Sequence, residues 1–360
     1  MIKILSVTYT DSTYGGPYRV AIDHKNSLEK KNFYLKLFGY EKNLILKYIF
    51  NNRRIKKFIN KFDLIHVHNL FSVSSMIILK IAELLSIPTI LSLHGNLNKW
   101  SMKKNYIKKI FFLKFFRRNI NSVSLIHFLN DQEKEEASKF ININKIPFTI
   151  NQNCIDVSKF EITRNRDTIF KILFFGRLDR KKNFLKIPEI ANIFRKNNIN
   201  DVKFIIVGPG NKKNLNDLKN KVEKFNLENF VEIRNSINSI DQKNSLFKEI
   251  DVFILPSEDE ADSVAIKEAL ASGKPVVISK ECKLNSNNKN EEFVKIIHDK
   301  SVQSYYSELI KFYDKREELK SLAVKIQLYS KENFSIDLLT KWLPNIYKNC
   351  INHTHTLKDS

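Results

Sequence analysis

The sequence predicts an α/β protein of two domains, each a doubly wound parallel sheet with helices on its faces. The chain has 360 residues, more than one ordinary hydrophobic core accommodates. Short apolar runs alternate with segments of helical periodicity, which is the pattern of βα units. The alternation runs from the N-terminus to residue 140 and restarts near residue 170. This restart predicts a second sheet rather than an extension of the first.

The first half contains six apolar runs that predict strands, with helical segments between them. The predicted strands are residues 2–7, 33–38, 64–68, 89–94, 124–129 and 148–150. The predicted helices are residues 17–30, 74–86, 103–120 and 131–140. The stretch 141–167 has no clear helical periodicity, so we expect it to hold the crossover between a first domain at 1–160 and a second at 161–330.

The second half repeats the pattern with five apolar runs. The predicted strands are residues 172–176, 203–208, 230–233, 252–256 and 275–279, and the predicted helices are 184–196, 214–225, 240–249 and 264–272. From Asp299 to Cys350 the chain is helical, and Trp342 is a large anchor near its end. We expect a C-terminal helix within 331–360 to pack back on the first domain. Two sheets that face one another across a cleft would suit transfer between two substrates.

The chain is strongly basic, with 61 Lys and Arg against 39 Asp and Glu and a formal charge of +22. Such an excess attracts anionic partners, but a composition biased toward Lys, Asn, Ile and Phe explains it as well. No zinc-finger spacing, helix-turn-helix pattern or RNA-binding aromatic motif accompanies the charge, so we expect no nucleic-acid partner. The short apolar N-terminus reads as a strand, and the three cysteines are widely separated. Together these features predict a cytoplasmic protein.

Two glutamates eight residues apart, Glu260 and Glu268, stand in the segment PSEDEADSVAIKEALASGKPVVIS. An apolar run precedes them, and Asp262 or Ser263 is placed to cap the helix that follows. At the carboxyl edge of a parallel sheet, a helix N-terminus favours an anion such as a diphosphate. Carboxylates on either side of that anion would hold hydroxyl groups. This layout fits a sugar nucleotide, which consists of a sugar, a diphosphate and a ribose.

Two further loops follow predicted strands and carry residues suited to a phosphate. Arg177 and Lys182 lie in GRLDRKKN, directly after the strand at 172–176. Two cations there would neutralise a diphosphate leaving group without a metal. Gly15 and Gly16 follow the first strand and would let the backbone approach a phosphate or an acceptor closely. This pair is not GxGxxG, so a nicotinamide-binding fold is not predicted.

Histidines end two strands of the first half. His94 precedes a glycine at the end of a strand and could donate a hydrogen bond to a sugar. His66 and His68 alternate along another strand, so both would lie on one face of the sheet. We interpret these two as structural, because no third ligand is spaced for zinc. We therefore predict no metal site.

The segment at 99–120, KWSMKKNYIKKIFFLKFFRRNI, is basic and has apolar residues at helical spacing. Two interpretations stay open. The segment could lie on an anionic membrane surface or meet a lipid-linked acceptor. It could equally be a core-facing helix with a lysine-rich face toward solvent.

Taken in order, these motifs resemble glycosyltransferase family 4, the retaining enzymes of the GT-B fold that use nucleotide sugars. The similarity covers nearly the whole chain. It rests on GGP after the first strand, DLIHVHN (63–69), IPTILSLHG (87–95), FLNDQEKE (128–135), the N-x-I-D element (153–156), GRLDRKKN (176–183), FIIVGPG (204–210) and PSEDE followed by KEALASGKPVV. The implied fold is two Rossmann-like domains that face one another across a cleft.

The resemblance also implies roles for the candidate residues. The family's E-x7-E motif falls on Glu260 and Glu268, which implies that Glu260 contacts the donor sugar and Glu268 the ribose. His94 would face the sugar, so Glu260 and His94 are the expected catalytic residues. The other expected donor-binding residues are Gly16, Arg177, Lys182, Ser263 and Val264.

By the same resemblance, the chain is a retaining hexosyltransferase that needs no cofactor and no metal. The expected donor is a UDP- or GDP-linked sugar, and the expected acceptor is a lipid-linked saccharide or another glycan of lipopolysaccharide, capsule or exopolysaccharide synthesis. The protein would be peripheral on the cytoplasmic face of the inner membrane, whose anionic surface would be a partner. Two alternatives stay open, namely a nucleotide-sugar epimerase or hydrolase and a degenerate binding protein. The run Ala261-Asp262-Ser263, where the family usually has a Gly-Phe-Gly-like sequence, favours the second alternative.

Overall fold

The computed structural model of the protein describes residues 1–8, 16–29, 31–39, 52–162, 168–237, 239–284 and 290–356. The chain divides into two compact units. Unit 1 consists of Met1–Cys154 and Ile336–Ser360, and unit 2 consists of Ile155–Ser335. Within the described ranges, no helix is both long enough and apolar enough to cross a membrane.

Unit 1 is built from six strands and eight described helices. The strands are β1 Ile2–Thr8, β2 Phe33–Gly39, β3 Leu64–Val67, β4 Thr89–Ser92, β5 Leu125–Phe128 and β6 Phe148–Ile150. The helices are α1 Gly16–Leu28, α2 Asn52–Ile59, α3 Val73–Leu84, α4 Lys99–Lys103, α5 Tyr106–Phe115, α6 Arg117–Asn121, α7 Asp131–Ser138 and, from the end of the chain, α14 Ile336–Thr356. The sheet is parallel throughout, in the order β2-β1-β3-β4-β5-β6.

The last helix, α14, is part of the core of unit 1. Its residues Leu339, Leu343 and Tyr347 are buried in one apolar cluster with Ile4 of β1 and Phe33 of β2. Every residue of β3 and β4 is also buried, as expected for strands that helices cover on both faces. Burial of apolar surface therefore ties the end of the chain to its beginning.

Unit 2 is built from six strands and six described helices. The strands are β7 Phe170–Phe175, β8 Val202–Val207, β9 Val231–Arg234, β10 Val252–Leu255, β11 Val276–Ser279 and β12 Val294–Ile297. The helices are α8 Lys186–Lys196, α9 Lys212–Lys224, α10 Ile240–Glu249, α11 Val264–Ala271, α12 Val302–Asp314 and α13 Arg316–Phe334. The sheet is parallel, in the order β12-β11-β10-β7-β8-β9.

The strand order of unit 2 reverses between β7 and β10. From β7 the chain first builds outward through β8 and β9, and then returns to add β10, β11 and β12 on the other side. The crossovers on the two sides leave β7 and β10 in opposite directions, which opens a crevice at their carboxyl ends. Ligands of doubly wound sheets bind at this position. The loops that follow β7 and β10 are therefore the first place to look for a site.

The loops after β7 and β8 approach so closely that one position requires glycine. Gly208 has a φ of 152°, and a Cβ added there would lie 1.9 Å from the carbonyl oxygen of Gly176. Any side chain at position 208 would force the two loops apart. The backbone contact sets the spacing of the sheet edge next to the crevice.

The predicted fold class, two doubly wound parallel sheets, is confirmed. Three details differ from the prediction. The strand β12 and the helix α2 were not predicted, and the helix expected at 103–120 is divided. Asn105 adopts a left-handed backbone with a φ of 59° between α4 and α5, and the helical geometry is interrupted again at Phe116. Asparagine tolerates the left-handed conformation better than most residues, so the chain turns there.

Candidate functional site

The candidate site in unit 2 is formed by the two loops that leave β7 and β10. The first loop contains the short 3₁₀ turn Arg180–Lys182, which Asp179 caps by accepting a hydrogen bond from the Lys182 N–H at 3.1 Å. The side chain of Lys182 runs over Gly176, whose added Cβ would lie 3.8 Å from the lysine Cε. The cap and the glycine together place the Lys182 ammonium at the end of β7.

Three consecutive residues of the first loop bind three consecutive acids of the second. The pairs are Lys181–Asp259 at 3.1 Å, Lys182–Glu260 at 2.6 Å and Asn183–Glu258 at 2.9 Å. Ser257 Oγ also donates to the same oxygen of Glu260, at 2.7 Å. Glu260 and Lys182, which belong to separate sequence motifs, are therefore in direct contact.

Every acid between Pro256 and Glu268 is paired with lysine. The closest pairs are Glu258–Lys300 at 2.8 Å, Asp259 with Lys181 and with Lys283 at 3.1 Å each, Glu260–Lys182 at 2.6 Å, Asp262–Lys267 at 2.6 Å and Glu268–Lys243 at 2.6 Å. Neutralised in this way, the loop does not repel an approaching phosphate as its sequence would suggest. The partner of Asp262, Lys267, is itself buried.

At the start of α11, Ser263 occupies the N-cap position, and Val264 is the first helical residue. Of the two predicted caps, Asp262 and Ser263, the structure thus places Ser263 at the N-cap, although its side chain makes no capping hydrogen bond. Asp262 instead pairs with Lys267. Ser263 and Val264, which were both predicted to bind the donor, therefore lie at the helix N-terminus. There the backbone N–H groups and the helix dipole favour an anion.

Glu268 lies in the middle of α11 and forms a buried ion pair with Lys243 of α10. Their side chains are 2% and 7% exposed, and the Lys243 ammonium lies 5.4 Å from the centroid of the Phe175 ring. Lys243 was not predicted from the sequence. A signal was present, because Lys243, Leu246 and Phe247 share the buried face of α10 at helical spacing. A lysine on an apolar helix face requires a buried partner.

Arg177 is the one predicted phosphate ligand of unit 2 that extends into solvent. Its side chain is 60% exposed, and its nearest charged neighbour is Asp179 at 3.5 Å. The structure thus brings Lys182 and Glu260 together, places Arg177 on the same loop as Lys182, and gives Glu268 a different lysine partner.

Cys282 lies close to Glu260 but is not a nucleophile. The pKa of its thiol is raised to about 12, mainly by burial and secondly by the negative charge of Glu260. The protonated thiol contacts Ser279 Oγ at 3.5 Å. Since the thiolate is the reactive form, covalent catalysis by this cysteine is excluded at neutral pH.

The other two predicted residues, Gly16 and His94, lie in unit 1. Gly16 is the exposed first residue of α1, and a Cβ added there meets no atom within 4 Å. The fold therefore does not require glycine at position 16. Gly15 lies outside the described residues. His94 follows β4 with a φ of 46° and contacts His68 Nδ1 through its Nε2 at 3.1 Å.

His94, itself half-buried, belongs to a cluster of five histidines in unit 1, of which the other four are buried. The other members are His24, His66, His68 and His127. Burial, followed by repulsion from neighbouring imidazoles, lowers the pKa of His94 to about 3. The pKa values of His24, His66 and His68 are lowered by the same two causes, with burial the larger. These rings are therefore neutral at pH 7.

A chain of hydrogen bonds runs through part of this cluster. The His127 Nε2–H donates to the carbonyl oxygen of Asn151 at 2.8 Å, because a carbonyl only accepts. His127 Nδ1 is hydrogen-bonded to Ser92 Oγ at 2.8 Å, and Ser92 Oγ to His66 Nε2 at 2.7 Å. The remaining nitrogen, His66 Nδ1, is hydrogen-bonded to the Tyr347 hydroxyl at 2.8 Å. The chain joins α14 to the sheet and uses both nitrogens of His66.

The sequence spacing offers His66 and His68 no third ligand for zinc, but the fold brings a third histidine close to them. His24, from α1, brings a third ring whose nitrogen lies within 4.8 Å of theirs. Helix α1 is separated from β3 in sequence, so spacing could not reveal it. The group is nevertheless a poor cation site, because both nitrogens of His66 are committed to hydrogen bonds and all three rings are buried.

Two family models match the chain. Glycosyltransferase Family 4 matches residues 19–159, and Glycosyl transferases group 1 matches residues 157–327. The two ranges meet at residues 157–159, shortly after the boundary between unit 1 and unit 2, which lies between Cys154 and Ile155. Together they cover most of both sheets.

One curated relative and two solved structures add detail. UDP-Gal:alpha-D-GlcNAc-diphosphoundecaprenol alpha-1,3-galactosyltransferase of Escherichia coli is 27% identical over 274 residues, which is 71% of this chain and 67% of the relative. HepE of Anabaena, solved with UDP and also with UDP-glucose, is 15% identical; the UDP complex gives a TM-score of 0.77 over 97% of this chain and 100% of HepE. Sucrose-phosphate synthase of Thermosynechococcus elongatus gives a TM-score of 0.79 at 12% identity, over 98% of this chain and 100% of the synthase.

Proposed function

Because the chain belongs to the glycosyltransferase family that these two models describe, we propose that this hexosyltransferase uses a UDP-sugar and a lipid-linked saccharide acceptor. The product would be a precursor of a cell-surface polysaccharide, as in lipopolysaccharide, capsule or exopolysaccharide synthesis. The observation that carries the proposal is the contact between Lys182 and Glu260 at the strand-order reversal of unit 2. The name of the E. coli relative, with its UDP-linked donor and diphosphoundecaprenol acceptor, supports this choice of substrates.

The proposed transfer breaks the bond between the anomeric carbon and the phosphate oxygen, and forms a bond from that carbon to an acceptor oxygen. The acceptor approaches on the face from which the phosphate leaves, so the anomeric configuration is retained. The departing phosphate oxygen takes the proton of the acceptor hydroxyl. Arg177 and Lys182 stabilise the negative charge that develops on the diphosphate. The α11 N-terminus at Ser263 and Val264 adds its N–H groups.

Glu260 would bind hydroxyl groups of the donor sugar and oppose positive charge at the anomeric carbon. Its carboxylate already accepts from Ser257 and pairs with Lys182, and it is 7% exposed. A carboxylate has about four lone-pair sites, so a sugar hydroxyl can share it with both partners. Lys182 thus holds the carboxylate in place before the donor binds. It also neutralises the negative charge that develops on the diphosphate when its bond to the sugar breaks.

In unit 1, His94 and Gly16 would serve the sugar and the acceptor. His94 is neutral at pH 7, so it would donate a hydrogen bond without adding a charge. Gly16 would let a ligand approach the backbone, which fits the open space around its Cα. We also propose that no divalent metal takes part, because Arg177 and Lys182 supply the positive charge that a metal would otherwise bring.

The stereochemistry of the product tests the proposed function. Purified protein is mixed with UDP-galactose or UDP-glucose and a lipid diphosphate that carries N-acetylglucosamine. We expect a disaccharide whose new linkage is α, as in the donor, by proton NMR of the anomeric signal. A β-linked product would contradict retention, and release of free hexose without any transfer would favour the hydrolase alternative.

Lys243 is proposed to position Glu268 for the ribose hydroxyls. Lys243→Met leaves a buried carboxylate without its lysine, so we expect unit 2 to lose about 3–5 kcal/mol of unfolding free energy. The double variant Lys243→Met with Glu268→Gln should recover most of that loss, while its affinity for UDP stays weak. Denaturant titration and calorimetry measure the two quantities. Lys221→Met, which breaks a more exposed pair with Glu189, is the matched control and should cost less than about 1 kcal/mol.

A further inference from the structure

Helix α5 exposes a row of large apolar side chains that no part of the proposed transfer uses. Ile107, Phe111 and Phe115 are 70%, 69% and 80% exposed. They recur every four residues, so they lie along one face of the helix. The opposite face is anchored in unit 1, because Leu113 is buried and Ile110 packs against the same apolar core. Among the described helices, no other one exposes three such residues.

Exposed cations surround this row. Residues 84–130 contain no Asp or Glu, and the seven exposed Lys and Arg among them are Lys99, Lys103, Lys104, Lys108, Lys114, Arg117 and Arg118. Lys108 and Lys114 lie on α5 in the same sector as the apolar row. A shallow surface depression of about 590 Å³ at the end of α5 is lined by Lys114, Phe115, Arg117 and Arg118, together with Asn121, Ser122 and one acid, Glu83, which pairs with Arg118 at 3.7 Å. The apolar row is thus framed by seven exposed cations, and the one acid that lines the depression, Glu83, offsets only part of their charge.

Lys109 does not belong to this surface. Its ammonium donates to the Ser101 carbonyl at 2.6 Å and to Ser101 Oγ at 3.1 Å, and lies 4.8 Å from the Phe71 ring centroid. Lys109 therefore fastens α5 to α4 and to the core. Variants that test the surface have to leave it unchanged.

We propose that the outer face of α5, with Ile107, Phe111 and Phe115 as its apolar row, docks on an anionic phospholipid bilayer. The apolar row would enter the boundary between headgroups and acyl chains, and the surrounding cations would meet the lipid phosphates. A nucleic acid would match the charge but not an aliphatic side chain such as Ile107 at the centre of the contact. The biological purpose rests on the proposed lipid-linked acceptor, since docking would bring the enzyme to the surface that holds it.

Vesicle flotation tests the docking surface without any acceptor. The full chain is mixed with phosphatidylcholine vesicles that contain or lack phosphatidylglycerol. We expect flotation only with the anionic vesicles, and a loss of affinity at high salt. A variant with four lysines changed to Glu should bind these vesicles more weakly, by about five-fold or more for each residue. The four are Lys103, Lys104, Lys108 and Lys114, and five-fold corresponds to about 1 kcal/mol. Ile107, Phe111 and Phe115 changed to Ser should weaken binding at least about ten-fold at unchanged charge.

A matched control carries the same charge change on unit 2. Lys196, Lys219, Lys224 and Lys331 are exposed, and changing all four to Glu should reduce flotation far less than the α5 variant. UDP affinity, measured on every variant, should stay at the wild-type value, which separates loss of docking from loss of the donor site. Flotation of both α5 variants like the wild type would overturn the proposal. Sedimentation of the wild type with single-stranded RNA but not with anionic vesicles would overturn it as well.

Discussion

Replacing Glu260 by glutamine is expected to lower turnover at least about 100-fold while UDP affinity changes little. Glutamine keeps the shape of the side chain and can still accept from Ser257 and Lys182, so the fold of the two loops is preserved. The substitution removes the negative charge that would oppose the developing charge on the donor sugar. The uridine and ribose do not depend on that charge. A radiolabelled transfer assay at saturating donor measures the turnover, and calorimetry measures the affinity.

Glu258→Gln is the control for this prediction. Glu258 stands two residues earlier on the same loop, where it binds Asn183 and Lys300. It should retain most of the turnover, because it holds the loops together but contacts no proposed substrate group. Equal turnover in Glu260→Gln and the wild type would remove Glu260 from the reaction centre. Equal loss in both variants would mean that loop structure, and not the charge at Glu260, determines the rate.

Acidification is expected to unfold unit 1 well before unit 2. The pKa values of His24, His66, His68 and His94 are lowered by burial, so between pH 6.5 and these lowered values the unfolded chain binds protons that the folded unit does not. Stability is therefore retained above pH 6.5 and falls as pH drops, by about 1.4 kcal/mol per pH unit for each imidazole. Four imidazoles give a slope of about 5.5 kcal/mol per pH unit, comparable to the whole stability of a small domain.

Tryptophan fluorescence measures this transition in unit 1 alone. The chain has two tryptophans, Trp100 and Trp342, and both belong to unit 1. Trp342 also lies 5.5 Å from His127 and 6.2 Å from His24, measured between ring centroids. The denaturant midpoint from fluorescence should fall steeply between pH 7 and pH 5. His24→Gln should reduce the slope of unfolding free energy against pH by the contribution of about one proton. His298→Gln changes an exposed residue of unit 2 and should leave this slope unchanged. A midpoint that is the same at pH 7 and pH 5 would contradict the buried neutral cluster.

The fold could be predicted because both sheets are parallel and buried. The strand β10 reads as a continuous apolar run, β8 is interrupted only by Lys203, and the helices between them keep a clear apolar face. The elements that were missed lack one of these signals. In α2, the segment NRRIKKFI is short, and half of its residues are basic. The four residues of β12 follow a polar stretch and pair only with β11 at the edge of the sheet.

Only the part of the candidate site that lies in sequence motifs at strand ends could be predicted. Glu260, Lys182 and Arg177 follow strand ends, and the carboxyl ends of neighbouring parallel strands share one edge, so their proximity follows from topology. The partner of Glu268 could not be found in this way, because Lys243 is one of 61 cations and its role depends on how α10 packs on α11. The third histidine beside His66 and His68 was missed for the same reason. It comes from α1, and contacts between distant elements leave no spacing in the sequence.

UDP binding to Glu268→Gln tests the nucleotide-sugar pocket of unit 2 most directly. Glu268 is the proposed ribose ligand. Asp201 precedes β8, at the amino ends of the strands and away from the candidate site, and pairs with Arg316. Asp201→Asn is therefore the matched control. Calorimetric titration should show that the wild type and Asp201→Asn bind UDP alike. Glu268→Gln should bind at least about ten-fold more weakly, which corresponds to about 1.4 kcal/mol for a lost charge-assisted hydrogen bond. Wild-type affinity in folded Glu268→Gln, or no UDP binding by the wild type, would contradict this assignment.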